Sequence, residues 1–510
     1  MNQVNPVAAC IDVGSGALTM LIAQLTEDKI TILDTLRRSV DLGRDCYATG
    51  TISRATVAEV VEALRGFVKV ASEYGARQLS AATTSAVREA TNRDYVLEQI
   101  RQATGLKVRA LPNAMERYIT YKALAGGVAG YQRMRREGML VVDVGYGSSE
   151  ITAFRAGNMV LSRNVPLGAL RLWELLSTIA AGNPQYPDML EQLIISELDH
   201  IRQIVKLKDI PNAVVLSGEA DQLKRLAGGR VTRKRFDQLY MEIKNLSTQQ
   251  LQRQYDIRPE RGEILLPTMM VIRAFMDMSG AEALHLCEVS LADGMLIEAR
   301  DGLFHSGKPD AHEEDIVSTA RQLALSHHCE PKHAEASESH AMAIFDALKD
   351  SQGLGARERL LLRLSVILHD SGKSISSLSR GDQAAVMIRA SGLIGLTDAE
   401  LAMIASIVAH QSSTTFGLDA RDRAALSRSQ RVATAKLLAI YGLANALDKS
   451  HTQRLRLARA EVTGDALVIE ATCRQSPSLE QWTFAQKSPF FEEVFGFTAL
   501  LSVKQGGANG

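Results

Sequence analysis

Two short stretches set carboxylates beside glycine-rich turns. In Leu140-Val-Val-Asp143-Val-Gly145-Tyr146-Gly147-Ser148-Ser-Glu150, an apolar run ends in Asp and a Gly-broken turn follows. Ile151 and Ala153 then alternate with polar residues, so the pattern predicts a strand, a tight loop and a return strand. Gly145 and Gly147 permit positive φ and close backbone approach, which lets successive N–H groups face an anion. Asp143, at the strand end, is placed to hold a hydrated Mg²⁺ beside a phosphate, and Glu150 faces the same pocket. Residues 8–16, Ala-Ala-Cys-Ile-Asp12-Val-Gly14-Ser15-Gly16, repeat the pattern, with Leu18, Met20 and Ile22 in strand alternation. Either hairpin alone also fits an ordinary glycine turn. Two of them, each opening a stretch long enough for a small α/β lobe, indicate an internal duplication.

The surrounding chain supplies elements to carry these loops. Ile30 to Leu36 reads as a strand, and Val57 to Tyr74 as an amphipathic helix by its apolar spacing. Leu79 to Asn92 reads as a strand running into a helix, capped by Thr84 or Ser85, with Arg88 one turn in near its anion-attracting end. Arg37, Arg38 and Arg44 follow the first hairpin and either bind phosphate or lie on a solvated loop. Leu170 to Leu176 and Leu190 to Ile204 read as helices, Ala213 to Leu216 as a strand, and Leu286 to Ile297 as the segment closing the second lobe. Lys224, Arg225, Arg230, Arg233, Lys234 and Arg235 are a basic run, either a solvated face or a track for a phosphate polymer. A polar Gly/Pro loop after Phe304 marks a boundary. Residues from about 313 to 450 are helix-rich, and 461–473 form a strand, turn and strand. The final Gly506-Gly-Ala-Asn-Gly is expected to fray.

Composition narrows the class. With 510 residues, 46% of them hydrophobic and 23% charged, the chain can bury the cores of several domains. Lys+Arg and Asp+Glu both number 58, so no global basic field points to nucleic acid or a membrane surface. The five cysteines form no CxxC pair, which argues against a disulfide framework or structural zinc and fits a reducing compartment. No apolar run approaches the ~20 residues that span a bilayer, and the first residues lack a signal-peptide pattern. A cytoplasmic location is expected.

The paired Asp-Val-Gly hairpins are similar to the two phosphate loops of the actin-like (ribonuclease H-like) phosphotransferase fold. Asp12-x-Gly14-Ser15, the Thr83-to-Asn92 stretch with Arg88, and Asp143-x-Gly145-x-Gly147-Ser148-x-Glu150 resemble the exopolyphosphatase / guanosine pentaphosphate phosphohydrolase family (Ppx/GppA). Pro166-Leu-Gly168-Ala-Leu-Arg171-Leu and the run from His369-Asp370 resemble it too, so the likeness covers nearly the whole chain in the family's long form. The resemblance implies an α/β protein with two actin-like lobes, then a helical HD-like domain and a small α/β C-terminal unit. The expected divisions are 1–128, 129–308, 309–452 and 453–510. It also implies release of terminal phosphate from inorganic polyphosphate or a guanosine polyphosphate, dependent on Mg²⁺ (or Mn²⁺), by a homodimer. Asp12, Asp143 and Glu150 are the expected metal-holding carboxylates. Gly14, Ser15, Gly145, Gly147, Ser148 and Arg88 are the expected phosphate-binding groups.

Three departures bear on activity. Aligned on Arg117, Met115 stands where the family carries its catalytic Glu, and a thioether cannot accept a proton from water. Glu150 is then the first candidate base and Glu116, about 100° round a helix from Met115, the second. Tyr146 interrupts the family's all-glycine loop and either points away or narrows the cleft. Glu219 follows Gly218 where nucleotide-binding relatives of the fold use Gly-Gly, which disfavours an adenosine pocket. In the helical region His333, His369 and Asp370 have the order of an HD-type metal site, with His410 a further candidate ligand. Asn445 replaces a later Asp, so these residues are expected to be a vestigial site. Slow Mg²⁺-dependent hydrolysis is the expected activity, and a polyphosphate- or alarmone-binding protein without turnover is the alternative.

Overall fold

The computed structural model describes residues 5–180, 185–204, 207–228, 231–305, 310, 312–376, 378–412, 417–473 and 475–505. The chain forms two compact units, residues 1–306 and 307–510. The expected frayed end at 506–510, the centre of the loop after Phe304 and Arg230 of the basic run lie outside the described residues.

Two five-stranded sheets of the same topology build the first unit. One contains β1 (Val7–Val13), β2 (Ala17–Leu25), β3 (Ile30–Ser39), β4 (Gln78–Thr83) and β5 (Val108–Ala110), in the order β3-β2-β1-β4-β5. The other contains β6 (Met139–Val144), β7 (Ser149–Arg155), β8 (Asn158–Val165), β9 (Asn212–Ser217) and β10 (Ala283–Cys287), in the order β8-β7-β6-β9-β10. In each, the first three strands pair antiparallel and the last two add in parallel. The duplication read from the two hairpins is thus a duplication of whole sheets.

Both faces of the strands β1 and β2 are buried, which is why they are apolar almost throughout, while the edge strand β3 is largely exposed. Ala9, Ile11 and Val13 of β1 face a core shared with Leu18, Met20 and Ile22 of β2 and with the helix Arg54–Glu73. Ala8 and Cys10 face the opposite side with Leu21, Ala23 and Leu25. Val57, Val60, Leu64 and Phe67 supply the helix's buried stripe, and the Ser53 side chain caps its start by accepting from the Thr56 N–H.

The segment expected to close the second lobe divides its work. β10 does close that sheet. The helix Leu291–Phe304 instead returns to the first sheet, where Leu291, Ala292, Met295 and Leu296 pack with Ala8, Leu21 and Ile119. Gly294 allows this approach, because a Cβ there would lie 2.1 Å from the Ile119 carbonyl oxygen.

In the second unit, helices Pro331–Gln352, Ala356–Leu368, Asp398–Ala409 and Arg428–Ala446 form an α-helical body. Leu401 to Val408 are buried all round, and a capping box at Thr397 and Glu400 starts that helix. The chain ends in a three-stranded sheet of β11 (Leu455–Thr463), β12 (Ala466–Cys473) and β13 (Thr498–Gln505), with the helix Ser478–Phe495 connecting the last two.

Candidate active site

The two hairpin turns are built alike. Gly14 N donates to Ala17 O at 3.0 Å, and Gly145 N donates to Ser148 O at 3.0 Å. Asp12 and Asp143 end the equivalent strands β1 and β6, so one fold unit places a carboxylate at the same point twice. The antiparallel partner of Asp12 is Thr19, whereas that of Asp143 is Glu150, so the second hairpin carries two acids side by side.

The glycines of both turns lack the positive φ expected of Gly145 and Gly147. Their reason is crowding. A Cβ on Gly147 would lie 1.9 Å from Tyr47 Oη and 2.6 Å from Ser85 Oγ, and one on Gly16 would lie 2.7 Å from the Tyr146 ring. Tyr146 therefore crosses from the second turn to the first, and Gly218 is also close to its ring. Of the two orientations open to Tyr146, the structure takes the one that narrows the space between the turns.

Four carboxylates gather here. Asp12 and Asp143 are each pushed up to about 7, first by burial and then by the negative charge of Glu116. Asp143 repels Asp12 further, while Arg37 lowers it. Glu150 is raised well above the usual carboxylate range by burial, Glu116 and Asp143, against a lowering by Arg117. Glu116, from the helix Asn113–Gly127, thus faces the acids of both hairpins. Its own pKa is raised by burial and held back by Arg88, whose Nη1 donates to Glu116 Oε2 at 2.7 Å.

Arg88 is not at an anion-attracting helix start. It lies in the last turn of the short helix Ser85–Glu89, and its Nη1 also donates to Leu111 O at 2.7 Å. No side-chain cap opens that helix. Ser85 spends its hydroxyl elsewhere, in a triangle with Ser15 (3.1 Å) and Tyr47 (2.8 Å), and Ser15 and Tyr47 lie 3.0 Å apart. Ser148 Oγ accepts from Asn164 Nδ2 at 3.0 Å. Among the described residues, Asp12 Oδ1, Glu150 Oε1 and Arg88 Nη2 are buried without a hydrogen-bond partner. Such groups are costly unless something else satisfies them.

Tyr47 and Arg171 carry roles that sequence reasoning did not assign. Arg171 Nε donates to Gly147 O at 2.6 Å, its guanidinium lies 4.6 Å over the Tyr47 ring, and Nη2 pairs with Glu89. Arg171 stood in the Pro166–Leu172 stretch already singled out, and Tyr47 left no signal in its own neighbourhood. Arg44 binds Glu263 at 2.7 Å, and Lys224, Arg233 and Arg235 pair with Glu288, Asp237 and Glu242, so these cations are spent on protein carboxylates. Glu219 is buried beside Arg261 at 3.9 Å, and burial raises its pKa.

The second unit brings its own cluster together. Ligand atoms of His333, His369 and Asp370 all lie within 4.8 Å of one another, and all three side chains are buried. His369 is pulled down to about 4, chiefly by burial, and so stays neutral at pH 7. Asp448, three residues after Asn445, accepts from His333 Nδ1 at 2.8 Å. His410 stands apart, its ring nitrogens at the carbonyl oxygens of Ser406 and Gly417.

The family profile of the Ppx/GppA phosphatases matches residues 21–301, more than half of the chain, and that of Ppx/GppA domain III matches residues 317–486. The chain belongs to the Ppx/GppA phosphatase family. Its place is therefore among the phosphoanhydride hydrolases. This Ppx/GppA protein is 22% identical over 429 residues to a guanosine-5'-triphosphate,3'-diphosphate pyrophosphatase of Photobacterium profundum, covering 80% of each chain. It is 26% identical to exopolyphosphatase 1 of Mycobacterium tuberculosis over 57% of its own length and 87% of the relative's. The crystal structure of an exopolyphosphatase from Cytophaga hutchinsonii superposes with a TM-score of 0.53 at 18% identity, over 58% of this chain and 98% of that one. That likeness shows the fold, two actin-like lobes in the first unit. No helix among the described residues is long and apolar enough to cross a membrane.

Proposed function

We propose that the first unit hydrolyses the terminal phosphoanhydride of inorganic polyphosphate or of guanosine pentaphosphate, with Mg²⁺ (or Mn²⁺), in the space between the two Asp-Val-Gly turns. The gathering of Asp12, Asp143, Glu150 and Glu116 carries this reading. A fold gains nothing from four mutually repelling carboxylates unless a cation offsets them. The donor set consists of hard oxygens, and Asp12 Oδ1 and Glu150 Oε1 lack protein partners, which fits Mg²⁺. Asp12, Asp143 and Glu150 would hold it, and it would neutralise charge on the phosphate oxygens.

The chain's own groups divide the remaining work. Gly14 and Gly145 spend their N–H groups on closing their own turns, so Gly147 is the glycine left to bring an N–H toward the terminal phosphate, with Ser15 and Ser148 beside it. Arg88 keeps one nitrogen on Glu116 and offers the unsatisfied Nη2 to the phosphate. Glu116 is the better base, because Arg88 favours its ionised form while Glu150 is the more strongly protonated acid. Glu116 would take the proton of the attacking water, and Arg88 would hold it in place. The departure at Met115 then costs less than its alignment implies.

Phosphate release from each substrate, with and without Mg²⁺, tests the proposal. Asp143→Asn should abolish release and leave the fold intact. A variant with parental activity removes the basis of the assignment. A second reading, a binding protein without turnover, is favoured by the Tyr146 ring lying between the turns. It wins if the parent binds polyphosphate and releases no phosphate. The same lobes are proposed to assemble as a homodimer in the cytoplasm.

A further inference from the structure

In the second unit, the hydrogen bonds around His333 and His369 dictate where their protons lie. A carbonyl oxygen only accepts, so the 2.7 Å contact of His369 Nδ1 with Val366 O puts the ring proton on Nδ1. An ionised carboxylate also only accepts, so Asp448, 2.8 Å from His333 Nδ1, puts that ring's proton on Nδ1 too. Both Nε2 atoms are then lone pairs. They face each other 3.2 Å apart, and Asp370 Oδ1, a third acceptor, lies 3.4 Å from His369 Nε2. Three acceptors thus converge in a buried site with no donor among them.

Bonds of about 2.0–2.1 Å at a tetrahedral angle set neighbouring ligand atoms roughly 3.3 Å apart. His369 Nε2 meets that spacing with both of its neighbours, at 3.2 and 3.4 Å, and all three ligand atoms lie within 4.8 Å of one another, so a small closure between His333 and Asp370 would seat one ion. A shared proton would make one ring an imidazolium in buried surroundings, which burial opposes.

We propose that His333 Nε2, His369 Nε2 and Asp370 Oδ1 bind one first-row divalent transition-metal ion, separate from the carboxylate cluster of the first unit. Asp448 is a positioning residue that fixes the His333 tautomer, and the Val366 carbonyl does the same for His369. Lys373 pairs with the other oxygen of Asp370, leaving Oδ1 for the ion. His451 stacks on the His333 ring, with centroids 3.5 Å apart, and keeps it in plane. Two imidazoles and one carboxylate select zinc, manganese, iron or cobalt over magnesium, and at least one coordination position stays open to water. On this proposal the site would be functional where Asn445 suggested a vestige.

The full-length protein, freed of metal with a chelator and dialysed against Zn²⁺ or Co²⁺, should retain about one equivalent per chain by elemental analysis. Asp143→Asn should retain the same amount. His369→Gln and His333→Gln should lose it, and Asp448→Asn should weaken affinity about 10–100-fold while still filling at saturating metal. X-ray absorption on the unaltered protein should show a nitrogen/oxygen shell at about 2.0–2.1 Å. This needs no variant to fold. Retention of no metal by the parent overturns the proposal, as does full retention by both histidine variants. So does loss of the metal in Asp143→Asn.

Discussion

Arg88 Nη1 lies 2.7 Å from Glu116 Oε2, and this ion pair joins the short helix after β4 to the helix that carries Glu116. Both side chains are largely buried, so breaking the pair strands a charge rather than returning it to water. Glu116→Gln should lower kcat by about 10²–10⁴-fold, the usual contribution of a general base. Met115→Glu should add little beside an intact Glu116. The rates of the two variants on polyphosphate separate the positions, and a Glu116→Gln enzyme at parental speed refutes this role for Glu116.

Arg88→Lys keeps the charge and loses the fork that serves Glu116 and Leu111 O together. KM and kcat should both worsen, with the larger effect on kcat. Steady-state kinetics on one substrate at saturating Mg²⁺ would show it.

Asp12 and Asp143 give a pH dependence with a definite sign. Each has an ordinary value of 3.8 and stands at about 7 in the fold. Below pH 4 both states are protonated and no penalty applies. Between pH 4 and 7 the unfolded chain releases protons that the folded one keeps, so stability falls as pH rises and levels off above 7. Asp12→Asn removes one such group. It should stabilise the metal-free protein at pH 8, by up to about 4 kcal/mol, and much less at pH 4.5. Added Mg²⁺ should raise the parent's Tm above pH 7 and lose that effect as the carboxylates protonate. Thermal melts at the two pH values check both statements.

Tyr146 lies against Gly16, in the space between the turns that the proposed substrate would enter. Tyr146→Gly should raise phosphate release several-fold. A fall in activity would instead show that the ring helps hold the turns together.

Gly294→Ala would drive a Cβ to 2.1 Å from Ile119 O. Backbone cannot yield as a flexible side chain does, so the return helix must shift, at a cost of about 1–3 kcal/mol. Denaturant unfolding measures the loss.

Much of this protein was legible in its sequence because the decisive signals are local. Asp12 and Asp143 end apolar runs that stop at glycine, and strand alternation needs only neighbours to be seen. The repetition of that pattern carried the two-lobed fold, since each strand-turn-strand is made within about fifteen residues. What only the tertiary structure decided involves residues far apart in the chain. Glu116 faces Asp143 because a helix packs its start against another lobe's hairpin, and alignment on Arg117 carries no information about that rotation. Gly147 is glycine because Tyr47, one hundred residues earlier, fills the place of a side chain, not because its backbone is left-handed. Asp448 reaches His333 across 115 residues and sets its tautomer. Such contacts exist only once the chain has folded, because burial brings these groups together and removes the water that would have satisfied them apart.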